Sequence, residues 1–547
     1  MRRSLTNKAL LSLAILGCVH MHGRSQLRVD LRSDQRVYVT GDDLWLDGTM
    51  DRVDTSSRWT RIRLLDRNGE MRAEATLRND NGMFSGYLEI PETLPTDVYF
   101  LDAVPSVSAS VTGSEPVYIV NPRIPQGSGC DASESKLGNA SPAAMADEIS
   151  IRIEKDTVDV RSPIEFSWST GSGRGLREVF IRVVRQDALS EMMDSLCKGF
   201  SHPIRHDRGD PRMDLGHLIR ARVTRNGTPV PGVVCFAALQ DTKANIAVSE
   251  SSADGMVEFL IPRSYDPSRL VVSTQSPSNG GLSLTLIDPD ANPARIPFPC
   301  VRLNPSMRSD LEERILYSRL ERRYHPEGVR SFDLSLTDSS DFYGKPDRRY
   351  ILDDYTRFPV MEEVFTDIIP EVRVRKEAGA PVLQVLNTPM KTYFPRQGLV
   401  MLDGVPMADA QAVLDIDPLR IRAIDVVART FTLGDIEFPG VVHLKSYKTD
   451  LAGNAPPKGS LSLPFPGVQR SSNHPETEDA GGRIGYRPST RNLVFRQNLS
   501  YPESKEKDSI RLNTSDATGN HRICVYGIDG RGKRIKGEKS IFVREVR

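Results

Sequence analysis

The strongest constraint on the fold is a pattern that keeps returning. Short runs of alternating apolar and polar residues are each closed by a tight-turn pair. In "VYVTGDDLWLDG" the apolar positions Val37, Val39, Leu44 and Leu46 flank a Gly41-Asp42 turn. In "TRIRLLDRNGEMRAEATLRND" two such runs are joined through Asn-Gly. A period of two places the apolar side chains on one face of a strand, and Asn-Gly is the preferred pair for a two-residue hairpin. Strands with one apolar face must cover it with a second sheet, so the pattern predicts sandwiches.

The chain has 547 residues, too many for one core; at roughly 150 residues per domain it holds about three to five. The pattern divides it. Residues 27–122 read as a first β-sandwich, and the Pro/Gly/Ser-rich stretch 123–147 as a linker. Residues 148–205 resume the β pattern as a second, partial sandwich ("ISIRIEKDTVDV", "PIEFSWST", "REVFIRVVRQD"). Residues 213–290 give a third, with "VTRNGTPVPGVVCFAAL" and "SSADGMVEFLIP". A helical connector spans 300–370. It includes "RSDLEERILYSRLERRY", with Ser309 or Asp310 as N-cap and Leu311, Ile315 and Leu320 on one face. A short helix, "VMEEVFTDII", follows Pro359, with Asp353 and Asp354 as turn and capping acids before it. Residues 371–447 mix strands ("EVRVRKE", "PVLQVLN", "LVMLDG", "IRAIDVVA", "GVVHLKSY") with a helix at "DAQAVLDI". Residues 448–480 read as a second linker and 481–547 as a C-terminal sandwich. The fold class is therefore mainly β: several sandwiches in series plus one small α/β unit.

Lys plus Arg and Asp plus Glu number 72 each, so no net charge draws the chain to nucleic acid or anionic membrane. Basic "MRRSLTNK", apolar "ALLSLAILGCV" and small Gly23 and Ser25 predict a secretory signal peptide over residues 1–25. The alternative is a lipobox-like "ILGC", with Cys18 lipidated. No other stretch is long and apolar enough for a transmembrane helix, and there is no room for a membrane barrel beside these units. Five cysteines remain after such cleavage, without the spacing of a disulfide framework; Cys235 and Cys524 sit in apolar strands as buried thiols.

Three stretches carry a family resemblance. "VYVTGDDLWLDG" with "GMFSGYLEIPETLPTDVYFLDA" resembles the macroglobulin-type sandwiches of Gram-negative envelope proteins. "GTPVPGVVCFAAL…SSADGMVEFLIP" resembles a carboxypeptidase-regulatory-like or macroglobulin-like sandwich. "LVMLDGVPM…LDIDPLRIRAIDVVARTFTLGDIEFPGVVHLKSY" is similar to the plug domain of TonB-dependent receptors. Its matching residues are Leu402, Asp403, Gly404, Val405 and Pro406, then Asp417, Pro418, Ile421, Ile424, Asp425 and Val426, then Gly440, Val441 and Val442. The resemblance implies a secreted envelope protein. It departs from a receptor because only about 100 residues follow the plug-like unit, and from a thioester macroglobulin because no Gly-Cys-Gly-Glu-Gln occurs.

Catalytic and metal motifs are missing: no HExxH, CxxC, GxSxG, P-loop or Rossmann glycine pattern is present. "HPIRHD" groups His202, His206 and Asp207 but reads as a solvated loop. Asp-Gly at 403–404 is tight-turn chemistry, which makes both residues structural, with ligand contact as the alternative. The sequence therefore points to a non-enzymatic interaction or scaffold protein without metal or cofactor, exported to the periplasm or outer membrane. The expected partner is an outer-membrane or periplasmic protein, a β-barrel among the candidates. Asp403, Gly404, Pro406, Asp417, Pro418, Asp425 and Gly440 are the candidate site, structural or partner-contacting. An accessory role in TonB-dependent uptake is the alternative.

Overall fold

The computed structural model describes residues 27–124 apart from 51–56, 81 and 107–109, and residues 146–324 apart from 172–174, 199, 207–210, 215, 242–244, 263–267, 276–280 and 289–293. It also describes residues 341–469 apart from 466, and 488–545 apart from 489, 491 and 530–532. The expected signal peptide and Cys18 lie outside these residues, as does most of the 123–147 linker. No described helix is long and apolar enough to cross a membrane.

The chain is mainly β, as its periodicity requires, but its sandwiches do not follow one another in series. In the first, strand Leu27–Ser33 lies between Asp43–Met50 and Ser110–Gly113 in one sheet, and Asp97–Pro105 lies between Trp59–Leu65 and Glu115–Val120 in the other. The inner faces enclose Leu44, Leu46, Ile62, Leu64, Phe84 and Leu101. Strand Pro203–His206 joins the first of these sheets beside Ser110–Gly113, so it does not belong to a second sandwich.

The second sandwich is built from two distant parts of the chain. Strand Pro163–Thr170 pairs with Lys507–Asn513, Phe166 opposite Ile510. Strand Leu176–Arg185 lies between Leu493–Lys505 and Gly519–Asp529. The units expected at 148–205 and 481–547 are thus two halves of one core, in which Phe166, Trp168 and Ile181 meet Ile510, Ile523, Val525 and Ile541. Neither half covers its own apolar face. A fully buried side chain of this size contributes about 1.5–3 kcal/mol. That contribution is available only once some 300 intervening residues have been looped out.

The third sandwich packs strand Gly216–Arg225, between Met256–Pro262 and Leu282–Ile287, against Val234–Gln240, between Asn245–Glu250 and Ser268–Thr274. The expected linker 448–480 contributes strands: Leu461–Phe465 extends the third sandwich beside Ser268–Thr274, and Val468–Gln469 pairs in parallel with Met71–Arg78 of the first. The Gln469 side chain both accepts from and donates to the Tyr87 backbone (3.0 and 2.9 Å), in the manner of one more strand residue.

Helix Arg308–Tyr324 forms where predicted, but Arg314 and Ser318, not its leucines, are its buried residues. The Arg314 guanidinium pairs with Asp187, the N-cap of helix Ala188–Cys197, and donates to Ser190 Oγ (2.6 Å) and the Val37 carbonyl (2.9 Å). This charge fixes both helices to the first sandwich. The helix after Pro359 is short, with Met361–Glu363 running into a wider turn over Val364–Ile368. Asp353 does not cap it but accepts from the Tyr447 hydroxyl (2.5 Å). Cys300 is disulfide-bonded, contrary to the expectation from cysteine spacing, while Cys197, Cys235 and Cys524 are free.

Candidate functional site

The α/β unit begins earlier than its strand pattern suggested, because strand Arg348–Ile351 is the edge of its sheet. The order is Arg348–Ile351, Ile421–Val427, Val441–Ser446, Leu399–Leu402, Val405–Pro406. Alternation along Val441–Ser446 sends Val442 and Leu444 into a core with Val413, Ile424 and Phe365. Val441 lies on the opposite face with Leu399, Met401 and Phe438, against Phe236, Ala238 and Ile246 of the third sandwich. The sheet is therefore covered on both faces.

The quoted Asp-Gly pair makes the two-residue turn between Leu399–Leu402 and Val405–Pro406. Both residues are left-handed, Asp403 with φ 47° and Gly404 with φ 82°. Asp403 is 1% exposed, and its carboxylate accepts from Ser446 N (2.7 Å), Ser446 Oγ (2.7 Å) and Leu451 N (2.9 Å). Burial pushes its carboxyl above the ordinary value, against the donors of Ser446 and Leu451, which pull it down. Its carbonyl accepts from Asp241 N of the third sandwich (3.2 Å).

Gly404 leads into a polar chain. Its N–H donates to His443 Nε2 (3.0 Å), so the neutral imidazole carries its proton on Nδ1 and donates to Tyr343 Oη (2.8 Å). The Tyr343 hydroxyl then donates to Asp425 Oδ2 (3.0 Å). Register fixes this meeting, because His443 is paired with Met401 on one side and Asp425 on the other. Asp425 also accepts from Arg349 (2.6 and 2.8 Å) and Lys445 (3.0 Å), and Lys445 reaches Asp341 (2.8 Å). Burial alone would raise the Asp425 carboxyl, but Arg349 and Lys445 outweigh it and hold it below its ordinary value. His443 is fully buried, and burial together with Lys445 lowers its pKa to about 4, so it is neutral at physiological pH.

A His–Tyr–Asp chain has the parts of a proton relay. Here both imidazole nitrogens are already engaged by protein groups, and Asp425 is 1% exposed. The arrangement locks the turn to the sheet and presents no nitrogen to a substrate. The structure brings Asp403, Gly404 and Asp425 together around His443. Pro406 is buried opposite Met401. Gly440 is buried with φ 82°, and a Cβ there would lie 2.7 Å from Val385 Cγ1 and 2.8 Å from Val427 O. Asp417 and Pro418 stand apart, opening a turn in which the Asp417 carboxylate accepts from Leu419 N (2.9 Å). Tyr343, Arg349 and Lys445 escaped the sequence reading; the alternation His443–Lys445 beside Val442–Leu444 was the available sign.

His206 also departs from expectation. It lies in a strand, 5% exposed, with Nε2 2.9 Å from Asp102 Oδ1 while Arg63 holds the other carboxylate oxygen. No group of three His, Cys, Asp or Glu side chains placed to hold a metal occurs among the described residues.

The outward surface of the α/β unit differs from its interior. Ile351, Tyr355, Val360, Met390, Leu419 and Tyr447 make up six of the twelve large apolar side chains exposed among the described residues. Four of them share a corner. Tyr355 packs on Tyr350 beside Ile351 (ring centroids 6.2 Å apart), and Tyr447 is tied to Asp353. Arg357 donates to the carbonyls of Leu419 and Ile421 (3.3 and 3.2 Å).

No family model matches the chain, and no curated protein matches it. Among solved structures it is similar to Escherichia coli α2-macroglobulin in its native conformation (9% identity, TM-score 0.23, covering 95% of this chain and 40% of that one). It is also similar to that protein activated by porcine elastase (10% identity, TM-score 0.23, 95% and 44% covered). A third is Salmonella α2-macroglobulin reacted with methylamine (8% identity, TM-score 0.23, 95% and 40% covered). The chain spans less than half of each.

Proposed function

We propose that this chain is a non-enzymatic interaction protein whose α/β unit docks on a protein partner through the corner formed by Ile351, Tyr355, Leu419 and Tyr447. The observation that carries the reading is the concentration of exposed apolar side chains on a unit whose sheet faces are otherwise covered. Exposed apolar groups that cluster, rimmed by charges such as Arg357 and Asp353, are the usual mark of a protein contact. The Asp403–Gly404 turn acts in this reading from inside, by holding the sheet that presents the corner. The leader-like residues 1–25 support export, and with it a periplasmic or outer-membrane partner. The test compares wild type with the double variant Tyr355→Glu, Leu419→Glu in pull-downs from detergent-solubilised envelopes. A protein retained by wild type and lost with the variant is expected. Identical retained proteins for both would refute the reading.

A further inference from the structure

The sheet of the α/β unit ends in an open edge. Strand Arg348–Ile351 pairs with Ile421–Val427 on one side only. In an antiparallel ladder successive residues turn their N–H and C=O groups alternately towards one neighbour and the other, so half of these four residues direct theirs away from Ile421–Val427. Among the described residues those outward groups have no backbone partner. The strand is also accessible, with Arg348, Arg349 and Ile351 exposed and Tyr350 half-buried.

An unpaired edge invites another strand, and folded chains usually block it with charges placed along it. Here the two arginines are drawn off the edge. Arg349 lies on Asp425 (2.6 and 2.8 Å), its register partner in the neighbouring strand. Arg348 leans towards Glu371 (3.4 Å), which also accepts from the Tyr350 hydroxyl. What remains beside the open backbone is apolar. Tyr350 and Ile351 are successive residues and so project to opposite faces. Ile351 stands exposed on one face, and the Tyr350–Tyr355 pair lies on the other.

We infer that the partner of the docking corner supplies an extended segment that adds to this edge as a sixth strand of the sheet. This rests on the docking reading above and names the form the partner takes. An extended backbone offers N–H and C=O groups at the spacing such an edge presents, and side chains alternating along it meet Ile351 on one face and Tyr350 and Tyr355 on the other. The sheet is ready for it, because both its faces are already packed. A second copy of the same edge fits less well, since it brings Arg348 and Arg349 close to their own like charges.

The test pans a linear dodecapeptide phage library on the immobilised full chain and takes the most enriched sequence as a synthetic peptide. N-methylating every second residue removes the backbone donors along one edge of an extended peptide. One of the two alternating sets should weaken binding at least tenfold and the other less than about twofold, and the unmodified peptide should slow amide exchange within 348–351. Equal losses from both sets, or protection confined to other segments, would overturn strand addition. The corner itself would then still stand or fall by the pull-down with Tyr355→Glu, Leu419→Glu. A library that yields no enriched sequence would overturn strand addition too. So would exchange within 348–351 that slows as the concentration of the chain alone is raised, which assigns the edge to a second copy.

Discussion

Replacing Asp403 with alanine should loosen one part of the α/β unit by a calculable amount. The carboxylate holds three donors, and two of them, Ser446 N and Leu451 N, are buried backbone groups. Leaving a buried donor unpaired costs about 1–3 kcal/mol. The Ser446 hydroxyl can rotate and still accepts from Thr449 N (2.9 Å), so it adds little. The φ of 47° strains alanine somewhat more than aspartate, while removing a carboxylate whose burial is unfavourable returns part of the loss. The net is about 3–5 kcal/mol. Hydrogen exchange followed by mass spectrometry reads this segment by segment. Exchange in 441–455 and 399–406 should accelerate roughly 10²- to 4 × 10³-fold, at about 1.4 kcal/mol per factor of ten, with the second sandwich unchanged. Exchange in 441–455 within threefold of wild type would refute the reasoning. So would equal acceleration in the second sandwich, which shares no hydrogen bond with Asp403.

Other outcomes follow from the same contacts. His443 is neutral when folded and titrates near 4, against about 6.5 when unfolded. The unfolded chain therefore takes up a proton first as pH falls from 6.5 towards 4, and stability drops by up to about 3 kcal/mol at pH 4. Thermal melts of wild type should fall more steeply over that range than those of His443→Gln; parallel curves would contradict it. Arg314→Ala leaves Asp187 buried without its cation, a change that costs about 3–5 kcal/mol. Limited proteolysis should then cut within 308–324, and a protease-resistant helix would count against the pinning role. Ending the chain at residue 488 removes the strands that cover Trp168, which is fully buried and 6.5 Å from Tyr501. Tryptophan emission should shift to the red, and an unshifted spectrum would contradict a shared core.

The strands were legible because alternation is a local property. "PVLQVLN", "IRAIDVV" and "VVHLKS" all form where the pattern placed them. Partners were not legible. Nothing in "PIEFSWST" names "KDSIRLN" as its neighbour across more than 300 residues, since any strand with the right apolar face would serve. Val468–Gln469 was missed for a related reason: two residues show no period, and Gln469 completes the pairing with its side chain. At the site, Asp-Gly declared the turn, but the Tyr343–His443 contact joins a turn residue to a strand residue 100 positions away. Buried cations such as Arg314 and Arg63 hide most completely, because their composition suggests solvent and their burial depends on distant acceptors.

The central claim is that the α/β unit acts through its exposed corner while its Asp-Gly turn works from within. A photo-crosslinking amino acid placed at Leu419, or at Leu286 on the third sandwich as an exposed control, tests it in living cells. One discrete protein adduct from position 419, absent from position 286, is the predicted result. The same adducts from both positions, or none from position 419, would contradict it.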